Sequence, residues 1–229
     1  MGTVLVVDGS DVCRAPIVEF ALRKQFAGQG PLDGTTVRSR GLETQPGRTM
    51  CDIAGARIGW SIEAASFAQG HRSAAFRPED AAGADLVLTA ERTQRSIVSV
   101  LAPGAASRVF TLKEALVLAS VLADEVRTGR STRPRSLAEL VAQLHDVRGS
   151  IPLIEPPVST GVFHRDRVLP MADPLTLVDG HDDAGLHRHA TDETYQVALK
   201  LGARMVDAAE EPLARIGASR ADLWWRQQA

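Results

Sequence analysis

The sequence predicts an α/β protein, and three observations carry that prediction. Short apolar or β-branched runs alternate with amphipathic helical patterns along the first half of the chain. Tight loops rich in Asp, Gly, Ser and Pro separate these runs. The chain has 229 residues, of which 44% are hydrophobic, and this is enough to bury a substantial core. The alternation predicts a parallel sheet that helices cover on both faces.

Each element is predicted from a local pattern. The strands are short β-branched or apolar runs at residues 3–7, 36–39, 84–89 and 108–112. The intervening helices are amphipathic patterns at residues 16–27, 50–58 and 91–101, and a long periodic stretch at 194–216 predicts the closing helix. Two further helices are predicted at residues 115–126 and 137–147, and an irregular, proline-containing loop is predicted at 151–157.

Charge, cysteine content and hydropathy exclude several classes of protein. Lys and Arg number 26 and Asp and Glu number 28, for a net charge of −2, so there is no basic footprint for nucleic acid. The longest uncharged apolar stretch, residues 115–123, is less than half of the ~20 residues that a membrane-spanning helix needs. Two cysteines in a chain of this length cannot form a disulfide scaffold and suggest a reducing compartment. With no visible targeting signal, we expect a cytoplasmic protein that contacts neither membrane nor nucleic acid.

A basic run follows residue 126 and has a simple interpretation. It contains no interleaved aromatic residues, so stacking on single-stranded nucleic acid is unsupported. We interpret it as a solvated linker, with docking to an acidic partner as the alternative. Its basic residues are Arg127, Arg130, Arg133 and Arg135.

The loop after the first predicted strand is the candidate functional site. It connects the carboxyl end of a strand to a helix, which is where ligands bind in open parallel sheets. Backbone N–H groups and the helix dipole at such a place can cradle phosphate or another tetrahedral anion, and Arg14 could clamp that anion with two parallel hydrogen bonds. The predicted anion-binding loop starts after Asp8 and consists of Gly9, Ser10, Asp11, Val12, Cys13 and Arg14.

These residues resemble a known family. Residues 6–16, Val-Val-Asp-Gly-Ser-Asp-Val-Cys-Arg-Ala-Pro, resemble the signature Val-Cys-x-Gly-Asn-x-Cys-Arg-Ser-Pro of low-molecular-weight protein tyrosine phosphatases. Ser39-Arg40-Gly41 resembles the Ser-Ala-Gly of that family, and the likeness continues through residues 71–72, 78–80 and 84–88. It ends at residues 172–174, Ala-Asp-Pro, which resemble the loop bearing the general acid of the family.

The resemblance covers about residues 1–118 and 168–217, and it carries expectations for the whole chain. It implies a three-layer α/β/α fold with a four-stranded parallel sheet and the anion loop after strand 1. We expect a single domain over residues 1–229, with a helical insert at about 119–167 before the Asp-Pro loop.

The departures from the family matter as much as the match. The resemblance places Asp8 where the family carries its nucleophilic cysteine, and Asp8 removes thiolate attack on phosphorus. Ala15 replaces a hydroxyl residue that hydrogen-bonds the thiolate, and Asp11 replaces an asparagine that braces the loop. A carboxylate about 5 Å from one phosphate charge costs roughly 3 kcal/mol at an effective dielectric constant near 20. We therefore expect an ionised Asp8 to fill the cradle itself and to pair with Arg14.

Two functions follow from this loop. The first is a catalytically silent phosphatase-like protein, a binding or regulatory module whose partner would be a phosphorylated or acidic protein; its oligomeric state stays open. The alternative is an active phosphomonoester or phosphotyrosine hydrolase with Asp8 as nucleophile and Asp173 as general acid. Such enzymes hold Mg²⁺ beside the carboxylate, and Asp11 could be a second ligand, although a cradle around Arg14 leaves little room for a metal. Leu175 replaces the aromatic residue that follows Asp-Pro in the family, so Asp173 can equally serve as a turn residue.

Residues outside the loop are given supporting or structural roles. The resemblance implies that Ser39 and His71 support the loop from behind, although His71 is equally well interpreted as a partly buried helix-cap histidine. We interpret Cys13 and Cys51 as packed small side chains rather than reactive thiols.

A run of carboxylates and imidazoles near the closing helix is a possible metal site. Such a run is more often a solvated loop, and no three of its residues share the i, i+4 spacing that would preorganise ligands on a helix. We therefore expect no metal and no cofactor, with this run as the open question. Its members are Asp179, His181, Asp182, Asp183, His187 and His189.

Overall fold

The computed structural model describes residues 1–150, 174–180 and 184–210. Its four strands form one parallel sheet in the order β2-β1-β3-β4. The strands are β1 (Thr3–Asp8), β2 (Thr36–Gly41), β3 (Leu86–Thr89) and β4 (Val109–Thr111). Each lies within two residues of its predicted ends. The predicted α/β class and the four-stranded parallel sheet are confirmed.

Eight α-helices are described around the sheet. They are α1 (Arg14–Phe26), α2 (Asp52–Ile58), α3 (Ile62–Gly70), α4 (Pro78–Ala82), α5 (Arg92–Leu101), α6 (Leu112–Arg127), α7 (Leu137–Val147) and α8 (Ala184–Ala209). None of the described helices is both long enough and apolar enough to cross a membrane.

The central strand β1 buries side chains on both faces of the sheet. Val4 and Val6 pack into a cluster with residues of α1, α6, α7 and α8, whereas Leu5 and Val7 pack into a second cluster with residues of α4 and α5. This alternation is the period of two expected for a strand. Because both faces are covered, β1 is a continuous apolar run, as is typical of a parallel sheet.

The closing helix differs most from its prediction. Helix α8 begins at Ala184, ten residues before the predicted start at 194. Its first turns read as a polar surface stretch in the sequence, but His187, Ala190 and Thr191 are buried against the body of the protein. The predicted end at residue 216 lies outside the described residues.

Two short helices were not predicted at all. Helix α3 has Ala64 as its one buried residue, so it carries little amphipathic signal, and α4 has five residues. Helix α7 has the predicted bounds, and α6 begins three residues before the predicted 115 because Thr111 and Glu114 form a capping box there. Residues 151–167, the remainder of the predicted insert, lie outside the described residues.

Candidate anion-binding loop

The sheet order places the loop after β1 beside the end of β3. Strands β2 and β3 lie on opposite sides of β1, so the connections that leave β1 and β3 diverge and open a crevice between them. Asp8 ends β1, and Ala90 and Glu91 follow β3 at the same edge of the sheet. The topology therefore brings these two segments together.

All six backbone carbonyls of residues 8–13 accept hydrogen bonds from groups other than a bound ligand. Because C=O and N–H point in opposite directions across each trans peptide, carbonyls that are bonded outward turn N–H groups toward the centre of the loop. The donors, in order, are Leu42 N, Glu43 N, Thr44 Oγ1, His71 Nε2, Cys51 N and Ile17 N.

Two positions make the tight loop sterically possible. Asp11 has a left-handed backbone with φ of 53°, a region that Asp and Asn tolerate better than most residues. Gly41 lies directly against the loop, because a Cβ there would come within 2.9 Å of the Ser10 carbonyl carbon and 3.0 Å of the Asp11 nitrogen. Glycine is therefore required at position 41 for this approach.

The carboxylate of Asp8 occupies N–H groups of its own loop. Asp8 Oδ1 accepts from Asp11 N–H at 2.6 Å and Oδ2 accepts from Ala15 N–H at 3.0 Å. The side chain is 1% exposed. Burial raises the pKa of Asp8 above its usual value, while the Arg14 charge and the two N–H groups oppose that rise by favouring the carboxylate.

The guanidinium of Arg14 is bonded to groups from two other segments. Its Nη1 donates to Glu91 Oε1 at 2.7 Å and to the Leu177 carbonyl at 2.9 Å, and its Nη2 donates to Asp179 Oδ2 at 2.8 Å. Arg14 itself is 4% exposed. The expected direct pair of Asp8 and Arg14 is wrong for the described residues, because Glu91 and Asp179 hold the guanidinium.

Asp11 is a second buried carboxyl group in the loop. Its Oδ2 accepts from Ala74 N–H at 2.8 Å, its Oδ1 lies 3.8 Å from His71 Nε2, and Ser39 and His71 favour its charged form. Burial raises the pKa of Asp11 to about 6. The loop thus holds a carboxyl group that is costly to ionise.

The two predicted supporting residues lie close to the loop. His71 is the cap residue at the end of α3, and its Nε2 donates to the Asp11 carbonyl at 2.7 Å. Its position agrees with both interpretations of the sequence, as a helix-cap histidine and as a residue that contacts the loop. The hydroxyl of Ser39 donates to Glu19 Oε2 at 2.8 Å and links β2 to α1.

The two cysteines meet each other near α8. Cys13 Sγ lies 3.2 Å from His187 Nε2, and Cys51 Sγ lies 3.6 Å from the same nitrogen. A hydrogen bond with Cys51, together with burial, raises the pKa of the Cys13 thiol far above its usual range, so the thiol is neutral near pH 7. The interpretation of Cys51 as a packing residue is incomplete, because its sulfur caps α2 by accepting from Ala54 N–H at 3.4 Å.

Other sequence-predicted residues are distributed differently. Asp173 and residues 181–183 lie outside the described residues. In the possible metal run, Asp179 bonds Arg14, His187 faces the cysteines, and His189 is exposed, so these three do not form one cluster.

The roles of Glu91, Leu177 and Asp179 were missed from the sequence. Their separations from Arg14 are 77, 163 and 165 residues, and no spacing pattern signals such contacts. Glu91 alone had an indirect signal, since it follows a predicted strand at the edge where the loop lies.

Comparison with known proteins supplies a family and a fold. The model of the family described as "Low molecular weight phosphotyrosine protein phosphatase" matches residues 3–126. No curated protein matches the chain.

Several solved structures share the fold at low sequence identity. A YwlE mutant from Bacillus subtilis is 17% identical, with a TM-score of 0.53 over 90% of this chain and 99% of that chain. The tyrosine phosphatase Wzb from Escherichia coli K30 in complex with phosphate is 16% identical, with a TM-score of 0.51 over 90% and 96%. The low molecular weight protein tyrosine phosphatase from T. tengcongensis is 17% identical, with a TM-score of 0.53 over 88% and 97%.

Proposed function

Because the chain belongs to the low molecular weight phosphotyrosine protein phosphatase family, we propose that it is a catalytically silent member that acts as a binding or regulatory module. In this proposal Asp8 stands at the position of the nucleophilic cysteine, and the anion loop is filled from within. The observation that carries the proposal is the pair of hydrogen bonds from Asp11 N–H and Ala15 N–H to the Asp8 carboxylate. A phosphate group entering the loop would have to displace that carboxylate.

The state of Arg14 supports the same conclusion. Its guanidinium already bonds two carboxylates and a carbonyl, so it has to break those contacts before it can clamp a phosphate. A phosphate beside the Glu91 and Asp179 carboxylates would also be repelled. A carboxylate about 5 Å from one phosphate charge costs roughly 3 kcal/mol at an effective dielectric constant near 20, and less where solvent screens it, as at the half-exposed Asp179.

Cys13 does not replace the missing nucleophile. The raised pKa of Cys13 keeps its sulfur protonated, and a thiol is a far weaker nucleophile than a thiolate. Its sulfur lies beside His187 and Cys51, whereas the Asp8 carboxylate lies on the N–H groups of Asp11 and Ala15.

The rival function, with Asp8 as nucleophile, requires an oxygen that is free to attack. Both carboxylate oxygens of Asp8 accept N–H bonds, and the side chain is buried. An aspartyl-phosphate would therefore form only after the loop has been rearranged.

Turnover of p-nitrophenyl phosphate tests this proposal. Wild-type protein and the Asp8→Cys variant are assayed with and without Mg²⁺, and the wild type is expected to show no turnover in either buffer. A wild-type rate of roughly 1 per second or more, as is typical of enzymes, would overturn the proposal. A wild-type phosphoenzyme that hydroxylamine cleaves would instead establish Asp8 as nucleophile.

A basic cavity beside the loop supports an acidic partner. It has a volume of about 950 Å³, and His71, which bonds the loop, is part of its wall. Phe20 and Phe67 line it with ring centroids 5.3 Å apart. Five of its lining residues are basic and two, Glu19 and Glu63, are acidic. A third carboxylate, Asp80, pairs with Arg38 and Arg40, which leaves an excess of two positive charges. The basic residues are Arg23, Lys24, Arg38, Arg40 and Arg72.

Peptide binding tests this part of the proposal. A labelled acidic peptide with one tyrosine, in phosphorylated and unphosphorylated forms, is titrated with wild-type protein and with the double variant Arg23→Glu/Arg72→Glu. We expect the double variant to weaken binding by about tenfold or more, or about 1.4 kcal/mol. The control, Arg127→Glu/Arg130→Glu, makes the same change in net charge outside the cavity and is expected to bind like wild type. Equal losses in both variants, or no binding by wild type, would contradict the proposal.

A further inference from the structure

Three side chains that can ligate a metal ion converge on one point behind the anion loop. Cys13 directly precedes α1, Cys51 caps α2, and His187 lies in the first turn of α8. The two sulfurs lie 3.2 Å and 3.6 Å from His187 Nε2, and all three ligand atoms lie within 4.8 Å of one another. The fold thus brings together residues separated by as many as 174 positions.

The two sulfur–nitrogen separations are close to the edges of a tetrahedral zinc site. With Zn–S bonds of about 2.3 Å and Zn–N bonds of about 2.0 Å, the edges of the tetrahedron are roughly 3.5–3.8 Å. Of the two sulfur–nitrogen distances, 3.6 Å falls within that range and 3.2 Å lies below it, and the two sulfurs lie within 4.8 Å of each other. An ion would bring the three ligand atoms to these edge lengths through movements of the side chains.

The three groups also form a hydrogen-bonded cluster. The neutral imidazole has a single acceptor nitrogen, two sulfurs lie within reach of that Nε2, and the two thiols hydrogen-bond each other. A cation would use both sulfurs and the nitrogen at once, because thiolate and imidazole are its preferred ligands.

The backbone around the three residues is held in place. Cys51 N–H donates to the Val12 carbonyl at 2.9 Å, which fixes the cap of α2 to the anion loop. Gly180 packs on the first turn of α8, and a Cβ there would come within 2.6 Å of the nitrogen and the Cα of His187. The ligands are therefore preorganised by packing.

The site is buried but reachable. Cys13 is 1% exposed and His187 is 9% exposed, whereas Cys51 is half-buried and lines a cavity of about 390 Å³ together with Val12 and Asp52. The negative charges of Asp8 and Asp179 also act on Cys13, and such a potential favours a cation.

We propose that Cys13, Cys51 and His187 bind one Zn²⁺ ion, which ties the anion loop to α2 and α8. Binding forms two zinc–sulfur bonds and one zinc–nitrogen bond, and the two thiol protons are released to solvent. Among the described residues these three side chains converge, and a fourth ligand such as water completes the tetrahedron. The proposal is independent of the silent cradle, since none of the three ligands is a hydrogen-bond partner of the Asp8 carboxylate.

Cobalt substitution tests the proposal in the full-length chain. Co²⁺ is titrated into reduced, metal-free protein, and we expect one equivalent to produce thiolate-to-cobalt charge-transfer bands and the intense visible bands of a tetrahedral site, which Zn²⁺ then bleaches. Cys51→Ser keeps an N-cap but removes a soft ligand, and His187→Ala removes the imidazole. Each is expected to weaken binding by more than the ~10–100-fold that loss of an outer-shell partner causes.

The control variant is His189→Ala, on the same helix and exposed, which is expected to keep the spectrum and the affinity of wild type. Circular dichroism confirms that each variant is folded. The proposal is overturned if wild type gives no charge-transfer band, or if folded Cys51→Ser and His187→Ala bind Co²⁺ as wild type does, since the ion would then be adventitious only.

Discussion

The two sides of the loop between β1 and α1 differ in how their polar groups are satisfied. On one side, the Asp8 carboxylate accepts N–H bonds from Asp11 and Ala15, all within one short stretch of chain. On the other side, the Cys13 thiol meets Cys51 and His187, which come from two distant elements. The first arrangement is a local contact within the loop, whereas the second is assembled by tertiary packing; we propose that the first excludes an external anion and that the second binds a cation.

Removal of the Arg14 guanidinium is expected to cause the largest loss in the free energy of unfolding. Arg14→Met leaves Glu91 and Asp179 without their counter-charge and the Leu177 carbonyl without its donor. We expect the free energy of unfolding to fall by about 3 kcal/mol, near the lower end for a broken buried ion pair because both carboxylates are partly exposed. Urea denaturation measures this loss. Arg127→Met, at a residue 71% exposed, is the control and should change stability by less than about 0.5 kcal/mol.

Removing the Asp8 carboxylate should open the cradle. Asp8→Ala leaves the N–H groups of Asp11 and Ala15 without their acceptor, which we expect to cost about 2 kcal/mol. Inorganic phosphate should then raise the melting temperature of the variant but not of wild type. Asp85→Ala, which removes an acceptor from Thr3 N–H at the other end of β1, is the control and should show no phosphate response. A response in wild type, or its absence in Asp8→Ala, would argue against a self-filled cradle.

Replacing the second buried carboxyl should stabilise the protein. Asp11→Asn keeps an acceptor for Ala74 N–H and suits the left-handed backbone, but it carries no charge. Since burial raises the pKa of Asp11 from 3.8 to about 6, the folded state holds its proton more tightly than the unfolded state. The favourable contribution of Asp11 is therefore complete below pH 3.8 and is lost as the pH rises to about 6.

At pH 8 the Asp11→Asn variant should therefore be more stable than wild type by about 1–2 kcal/mol. The pKa shift of Asp11 sets an upper limit of about 3 kcal/mol for this difference. The difference between the two proteins should grow between about pH 4 and pH 6 and stay constant above that range. Denaturation curves at several pH values measure it. If the gain in stability of Asp11→Asn did not depend on pH, it would come from the backbone conformation at residue 11 rather than from removal of the Asp11 charge.

The smallest expected effect on stability concerns Cys51, in the cluster of Cys13, Cys51 and His187. In the presence of a chelator, Cys51→Ser should change the free energy of unfolding by less than about 0.5 kcal/mol, because serine caps a helix well. Added Zn²⁺ should raise the melting temperature of wild type and leave that of the variant unchanged. A loss of about 2 kcal/mol without metal would instead make Cys51 chiefly a packing residue, as its sequence context predicts.

The parts of the molecule that follow from local pattern were predictable from the sequence. The apolar run from Val4 to Val7 identifies β1, and the anion loop follows because Asp8 to Arg14 connects a strand to a helix. The start of α8 was missed because its buried face consists of His187, Ala190 and Thr191, which carry little hydrophobic signal.

The contacts that define the two sites were beyond local pattern. Arg14 reaches Asp179 across 165 positions, and Cys51 reaches His187 across 136. Only the packing of α8 and of residues 174–180 against the loop brings these groups together, and no periodicity in the sequence encodes that packing. The sequence predicted an Asp8 carboxylate on the N–H groups of its own loop from charge repulsion against phosphate, and the structure has two such hydrogen bonds.

A crystal structure of the wild-type protein soaked in inorganic phosphate tests the central claim most directly. The account predicts that Asp8 keeps its hydrogen bonds to Asp11 N–H and Ala15 N–H, that Arg14 stays on Glu91 and Asp179, and that no phosphate lies in the loop. A phosphate bonded to those N–H groups, with Asp8 displaced and Arg14 turned toward it, would contradict the account.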